Sequence, residues 1–340
     1  MKIKYYLLLL LGLAITLNSC KSDDGLIDPV PIADRGEQQI IDKAELIEYL
    51  SSHYYNSNFF RINPDATIND LVITKLEDGQ SVPTNHRLLM DAVVTETTTY
   101  EEVEYDYHIL TLQQGGGEAP HFSDRVRLIY QGFTLDSNAN NLSEAFDSSP
   151  TPVEFELVSL IRGWPLVIPE FNVADSFMEN GDGTITYNNP GRGVMFIPSG
   201  LAYFNQVTAG IVEYSELLFK FELYQTEVAD HDFDGLPSFV EDTNADLDVT
   251  NDDTDENGIS NFNDPDDDGD GVLTFNELQQ TEYEINVGDP DPTFGENEFE
   301  IIREEEGGKI MITTVKMVDA NNNSIFDHLD AEATTNYNED

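Results

Sequence analysis

The sequence predicts an α+β protein made mainly of short antiparallel strands, and three observations carry that reading. Period-two alternation recurs mid-chain: "VEYDYHILTL" sets Val103, Tyr105, Tyr107 and Ile109 on one face, and "DRVRLIYQGF" does the same with Val126, Leu128 and Tyr130. Further short apolar runs follow in "VEFEL", "GVMFI" and "ELLFKFELY". Helical spacing is confined to one early stretch, "IIDKAELIEYL", with Ile40, Ala44, Ile47 and Leu50. Runs of strands with so little helix indicate an antiparallel sheet rather than alternating βα units.

The amino terminus comes first in the element-by-element account. "MKIKYYLLLLLGLAITLNSC" has two early lysines, an apolar run from Leu7 to Leu17 and a small residue before Cys20, which reads as an export signal over 1–19. Cys20 is the only cysteine, so no internal disulfide can form. "LNSC" resembles the bacterial lipobox, and the resemblance implies a lipidated Cys20, a membrane partner through that anchor, and an outer membrane lipoprotein on the periplasmic face or cell surface of a Gram-negative cell. "KSDD" resembles the acidic surface-export signal of Bacteroidota lipoproteins. Residues 20–36, with Gly25, Pro29 and Pro31, read as a tether.

Residues 37–104 form a small α/β segment: the early helix, then strands in "LVITKLEDGQSV" and "LLMDAVV" with Asp78-Gly79 as a turn. The sheet domain runs from 105 to 227. The "GGG" at 115–117 ends its first strand as a plain turn, since no helix pattern follows to make a phosphate cradle. Pro165 suits a first helical turn and Pro169 forbids a long helix, so only a short helix is expected after Trp164. "ENGDGTITYNNPGRG" is expected to add a hairpin.

The 66 acidic and 16 basic residues give a net charge of −50, which excludes nucleic acid as a partner. From Asp230 to Glu277 there are 17 carboxylates and no Lys or Arg. Three stretches there, 230–241, 253–264 and 266–277, share oxygen-bearing side chains at positions 1, 3 and 5, glycine at 6, an apolar residue at 7 and an acid at 12. That is calcium-loop spacing. The candidate ligands are Asp230, Asp232, Asp234, Leu236 and Glu241; Asp253, Asp255, Asn257, Ile259 and Asp264; and Asp266, Asp268, Asp270, Val272 and Glu277. Leu236, Ile259 and Val272 would offer backbone carbonyls. A degenerate copy spans 319–330, with Ser324 in the glycine position. Only Pro265 separates two of the loops, which leaves no room for paired EF-hand helices. The arrangement resembles thrombospondin type 3 repeats, which implies calcium in place of a hydrophobic core over 228–278, followed by a C-terminal strand segment over 279–340.

A second resemblance rests on ordered motifs. "IYQG", "FDSS", "LIRGW", "IPSGLAYF" and "LLFKFEL" match in order and spacing the FKBP-type peptidyl-prolyl isomerases. The resemblance implies a bent antiparallel sheet around a short helix, no cofactor for catalysis, and proline-containing polypeptides as substrates. It also implies a pocket of Tyr130, Phe146, Asp147, Leu160, Ile161, Trp164, Tyr203, Ile211 and Phe219. In that family the N–H matching Ile161 and the hydroxyl matching Tyr203 hold the peptide, the acid matching Asp147 orients the pocket, and Trp164 floors it, with Gly163 providing the turn. Val153, Phe204 and "IVEY" depart from the family pattern. A proline-binding module without catalysis, and a calcium-dependent surface scaffold, are the alternative functions. No G-x-S-x-G, H-E-x-x-H or P-loop motif is present.

Overall fold

The computed structural model describes residues 31–338, and contacts divide the chain into two units, of which the second begins at Asp34. The export signal, Cys20 and the tether up to residue 30 lie outside the described residues. The second unit is described below. Among the described residues, no helix is long and apolar enough to cross a membrane.

Helix α1 (Arg35–Ser52) begins inside the stretch expected to be tether, because Asp34 caps it by accepting the Glu37 N–H at 2.9 Å. Its apolar face is not the one expected. Ile40, Ala44 and Ile47 are exposed, while Leu46, Tyr49 and Leu50 are buried together with Gln39 and Asp42. Asp42 explains the rotation: its carboxylate accepts from the Ser199 N–H at 2.8 Å, the Ser199 hydroxyl at 2.6 Å and the Gln38 amide at 2.7 Å. A buried polar anchor outweighs a periodicity that Ile40 and Ile47 could have satisfied.

After α1 come β1 (His53–Tyr55), α2 (Ser57–Ile62), β2 (Ile73–Lys75) and β3 (Arg87–Leu88), the strands forming a small sheet in the order β2-β1-β3. Asp78-Gly79 is a turn, with Gly79 at φ 78°. "LLMDAVV" is not a strand beyond its ends, because the Ala92 and Val93 N–H groups both bond to the Leu89 carbonyl and close a turn.

The central sheet uses β4 (Val94–Tyr100), β5 (Val103–Gln113), β6 (Arg125–Thr134) and β7 (Asp147–Glu156). The hairpin β8 (Ser176–Glu179) and β9 (Ile185–Asn188) follows, then β10 (Gly191–Ile197) and β11 (Leu217–Glu227). Six strands pair in the order β4-β5-β10-β11-β6-β7, each antiparallel to its neighbours. The short helix α3 (Gly163–Val167) passes directly into a 3₁₀ turn, Ile168–Glu170, with Pro169 inside it.

Both faces of this sheet are covered. Tyr105, Ile109, Leu128, Met195, Phe219 and Phe221 pack with Trp164 on one face. Leu110, Phe133, Val194, Phe196 and Leu218 pack beneath Leu46, Tyr49 and Leu50 on the other. That double cover is why β10 and the first part of β11 are buried without alternation.

The acidic stretch runs as loops joined by 3₁₀ turns and one four-residue helix, α4 (Thr274–Glu277). It ends in β12 (Gln279–Asn286), β13 (Glu298–Glu306) and β14 (Lys309–Lys316), paired β12-β14-β13. A small apolar cluster of Leu236, Leu278, Val315 and Met317 lies between loops and sheet. The arm leans on the central domain: Phe239 stacks on His121 at 3.6 Å, and Arg162 donates to the carbonyls of Asp246 at 2.6 Å and Leu247 at 2.5 Å.

Candidate functional site

Aromatic rings converge where β6, β11 and α3 meet. Trp164 lies 5.0 Å from Phe219 and 5.8 Å from Tyr130, ring centre to ring centre, and meets the tyrosine edge-on at 88°. Phe146 meets Phe219 edge-on at 5.6 Å, and Phe155 stands 5.5 Å from Tyr130. Trp164, Ile211 and Phe219 are buried, and Tyr130, Phe146, Leu160, Ile161 and Tyr203 are half-buried against the same cluster. Eight of the nine residues singled out by the FKBP resemblance therefore pack in one place, and the ninth, Asp147, reaches it from the start of β7.

Asp147 is exposed, so the burial cost that would single out a carboxylate beside a core ring does not apply to it. Its role is contact: it accepts the Tyr130 hydroxyl at 2.5 Å. Burial first, and this hydrogen bond second, push the Tyr130 hydroxyl well above its ordinary pKa. Burial, with the Asp147 charge behind it, also raises Tyr203. Among the described residues, the Ile161 N–H and the Tyr203 hydroxyl have no hydrogen-bond partner.

Two glycines shape the bowl by yielding space. A Cβ on Gly132 would stand 2.6 Å from Phe146 and 2.7 Å from Phe219, so the last residue of "IYQG" is what lets the two rings close over β6. Gly163 works differently from the expectation of a tight turn. A Cβ there would meet Ile197 at 2.7 Å, so it serves the close seating of α3 on β10. Phe204 takes φ 50°, a left-handed conformation costly for a non-glycine residue. Its ring lies under the Arg35 guanidinium at 4.3 Å and meets Tyr214 edge-on at 5.2 Å.

The acidic arm carries a second kind of site. In 230–241 the Asp230 carboxylate accepts the Gly235 N–H at 3.1 Å, Asp232 accepts from Asp234 at 3.3 Å, and Asp234 accepts from Leu236 at 2.7 Å. The same pattern of position 1 to 6, 3 to 5 and 5 to 7 recurs in 253–264 and 266–277. It recurs in 319–330 as well.

Sequence reasoning missed a copy at 242–253, where Asp242 accepts from Leu247 at 2.8 Å, Asn244 from Asp246 at 2.9 Å and Asp246 from Asp248 at 2.9 Å. Leu247 occupies the glycine position at φ 65°, against 95°, 92°, 95° and 77° at Gly235, Gly258, Gly271 and Ser324. A search on oxygens at positions 1, 3 and 5 alone would have found it. There are thus five loops in register among the described residues, numbered first to fifth below.

The loops differ in what fills them. In the third, Asn257 turns its amide NH₂ toward Asp255 at 3.0 Å and Asp264 at 2.6 Å. In the same loop Asp253 is half-buried and Ile259 exposed. In the first and fourth, carboxylate oxygens converge: Asp230, Asp232 and Asp234 form one group, and Asp266, Asp268 and Asp270 another. Oxygens of Asp232, Asp234, Glu241, Asp266, Asp268, Asp270 and Glu277 are buried without partners. Burial, then mutual repulsion, pushes Glu241 up to about 11, Glu277 to about 9 and Asp234 to about 8. Such a donor set, all oxygen and short of positive charge, fits a hard divalent cation.

Comparison with known proteins adds the following. Residues 231–302 match the family described as BamM C-terminal, a span from the first loop into β13. No curated protein matches the chain. Solved structures similar to it include a peptidyl-prolyl cis-trans isomerase from Pseudomonas syringae, at 16% identity and TM-score 0.33, covering 58% of this chain and 99% of that one. FkpA from Escherichia coli is similar at 25% identity and TM-score 0.29, over 38% of this chain and 51% of that one. The N-terminal domain of FKBP42 from Arabidopsis thaliana is similar at 15% identity and TM-score 0.28, over 40% and 94%.

Proposed function

We propose that this chain is an FKBP-type peptidyl-prolyl isomerase, anchored through a lipid on Cys20 at a Gram-negative outer membrane and stiffened by calcium in its acidic arm. The observation that carries the catalytic reading is the bowl itself: Tyr130, Phe146, Trp164 and Phe219 ring a site beside the Ile161 N–H and the Tyr203 hydroxyl, neither of which has a hydrogen-bond partner among the described residues. The substrates are proline-containing segments of exported chains.

Rotation about an X-Pro amide must lose resonance, over a barrier of about 18–20 kcal/mol. Water solvates the planar, charge-separated amide better than the twisted one. A dry bowl therefore favours the twisted form, and binding that form more tightly is the catalysis. Trp164 supports the proline ring, the Ile161 N–H holds the carbonyl before it, and the Tyr203 hydroxyl donates to the bound peptide. Asp147 acts by fixing the Tyr130 ring through its hydroxyl.

The calcium reading is supported by the buried, unpartnered carboxylate oxygens of the first and fourth loops. A non-catalytic proline-binding role has one observation in its favour: Phe204, in left-handed conformation beside Tyr203, fills space that a glycine would leave open.

Exchange between proline isomers of short tetrapeptides, followed by NMR with the folded chain added, tests the proposal. Acceleration is expected. Asp147→Asn should lower it about tenfold, equivalent to ~1.4 kcal/mol of barrier, with little loss of stability because the carboxylate is exposed. Identical exchange with and without the folded chain would overturn the catalytic reading and leave the proline-binding and scaffold roles.

A further inference from the structure

Asp267 is the second residue of the fourth loop, a position the repeating hydrogen-bond pattern leaves unused. Its N–H donates to the Thr274 hydroxyl at 3.2 Å. The side chain is 2% exposed, and neither carboxylate oxygen has a partner. It faces not its own loop but the first one: ligand-capable oxygens of Asp234, Glu241 and Asp267 lie within 4.8 Å of one another. Asp234 and Glu241 are 2% and 3% exposed and also carry unpartnered oxygens.

Among the described residues, no Lys, Arg or His forms an ion pair with any of the three. Burying even one unpaired carboxylate costs several kcal/mol, and three in contact repel one another as well. Protonation would relieve the repulsion but would leave the remaining oxygens without donors. One divalent cation relieves both.

We propose that Asp267 completes the cation site of the first loop, so that one ion held by Asp234, Glu241 and Asp267 ties the first loop to the fourth. This rests on the calcium reading above and goes beyond it, because a loop pattern read along the chain puts all side-chain ligands of a site within twelve residues. Here a ligand arrives from 26 residues beyond Glu241. The ion then fixes the fold of the arm as well as the shape of one loop. Calcium suits the role, since it takes six to eight oxygens in flexible geometry where magnesium demands a strict octahedron.

Calcium titration of the full chain by calorimetry, after stripping with chelator, tests this when parent and Asp267→Asn are compared. The variant is expected to lose one site, or to bind it at least tenfold more weakly. Thermal melts separate a ligand from a structural residue. In chelator, where the arm has lost its order, Asp267→Asn should melt with the parent, and its stabilisation by calcium should be smaller than the parent's. Equal site number and affinity in both proteins, or a melting point lowered equally with and without calcium, would overturn the assignment of Asp267 while leaving the calcium reading intact. A parent that takes up no calcium would overturn both.

Discussion

Around Trp164 the neighbours are rings and aliphatic chains in contact, whereas around Asp267 they are carboxylates that repel. The bowl is assembled by removing apolar surface from water, at roughly 25 cal/mol per Å². Among the described residues, the arm's apolar cluster buries Leu236, Leu278, Val315 and Met317, beside four carboxylates, Asp234, Glu241, Asp267 and Glu277, whose burial is costly. One region carries its stability in its own side chains. On the calcium reading proposed above, the other takes it from solution.

Chelation should therefore separate the two, with the largest effect of any treatment. Removing calcium is expected to abolish the ordered circular-dichroism signature and protease resistance of 230–277. The emission of Trp164 should change little, because Tyr130, Phe219 and Phe221 enclose the ring. Phe239 on His121 and Arg162 on Asp246 and Leu247 join the two regions. Simultaneous loss of both signals would mean that these contacts make one cooperative unit.

Phe219→Ala attacks the other side of the comparison. Phe219 is buried between Trp164 and Phe146, so truncation should cost about 3–5 kcal/mol in denaturant unfolding. The loss should be the same with calcium and with chelator. A calcium-dependent loss would show that the bowl borrows stability from the arm.

The back of the sheet offers an intermediate case. Burial, then its contact with Glu45, raises Glu216 to about 8. Its carboxyl is protonated in the folded chain and ionised in the unfolded one between about pH 4.5 and 8. The folded state then binds more protons, so stability is complete below that window and falls as pH rises through it. Glu216→Gln should flatten the decline and gain a few kcal/mol above pH 8, measured as urea midpoints across pH. An unchanged slope would mean that another group sets it.

The sheet was legible because alternation survives wherever only one face is apolar, as in Val126, Leu128 and Tyr130. The hairpin at 176–188 and the short α3 were legible from turn formers and from Pro165 and Pro169. The face of α1 was not, because Ile40 and Ile47 outshout Asp42 in any hydropathy pattern, and the Ser199 contact that decides it is 157 residues away. Asp267 was invisible for the same reason, since its partners belong to another loop. Sequence spacing reports local geometry well and long-range polar contacts poorly.

The second loop tests the smallest effect. Leu247 holds φ 65° where three sister loops have glycine, and its side chain is 42% exposed, so little packing is lost by removing it. A left-handed leucine costs about 1–2 kcal/mol, against roughly 0.5–1 kcal/mol of extra chain entropy for glycine. Leu247→Gly should thus stabilise the chain by about 0.5–1 kcal/mol in the presence of calcium. Arg162 binds the backbone carbonyl at this position, not the side chain, so that contact should persist. A destabilised variant would mean that the leucine side chain holds the arm against the domain, and that the left-handed turn is the lesser constraint.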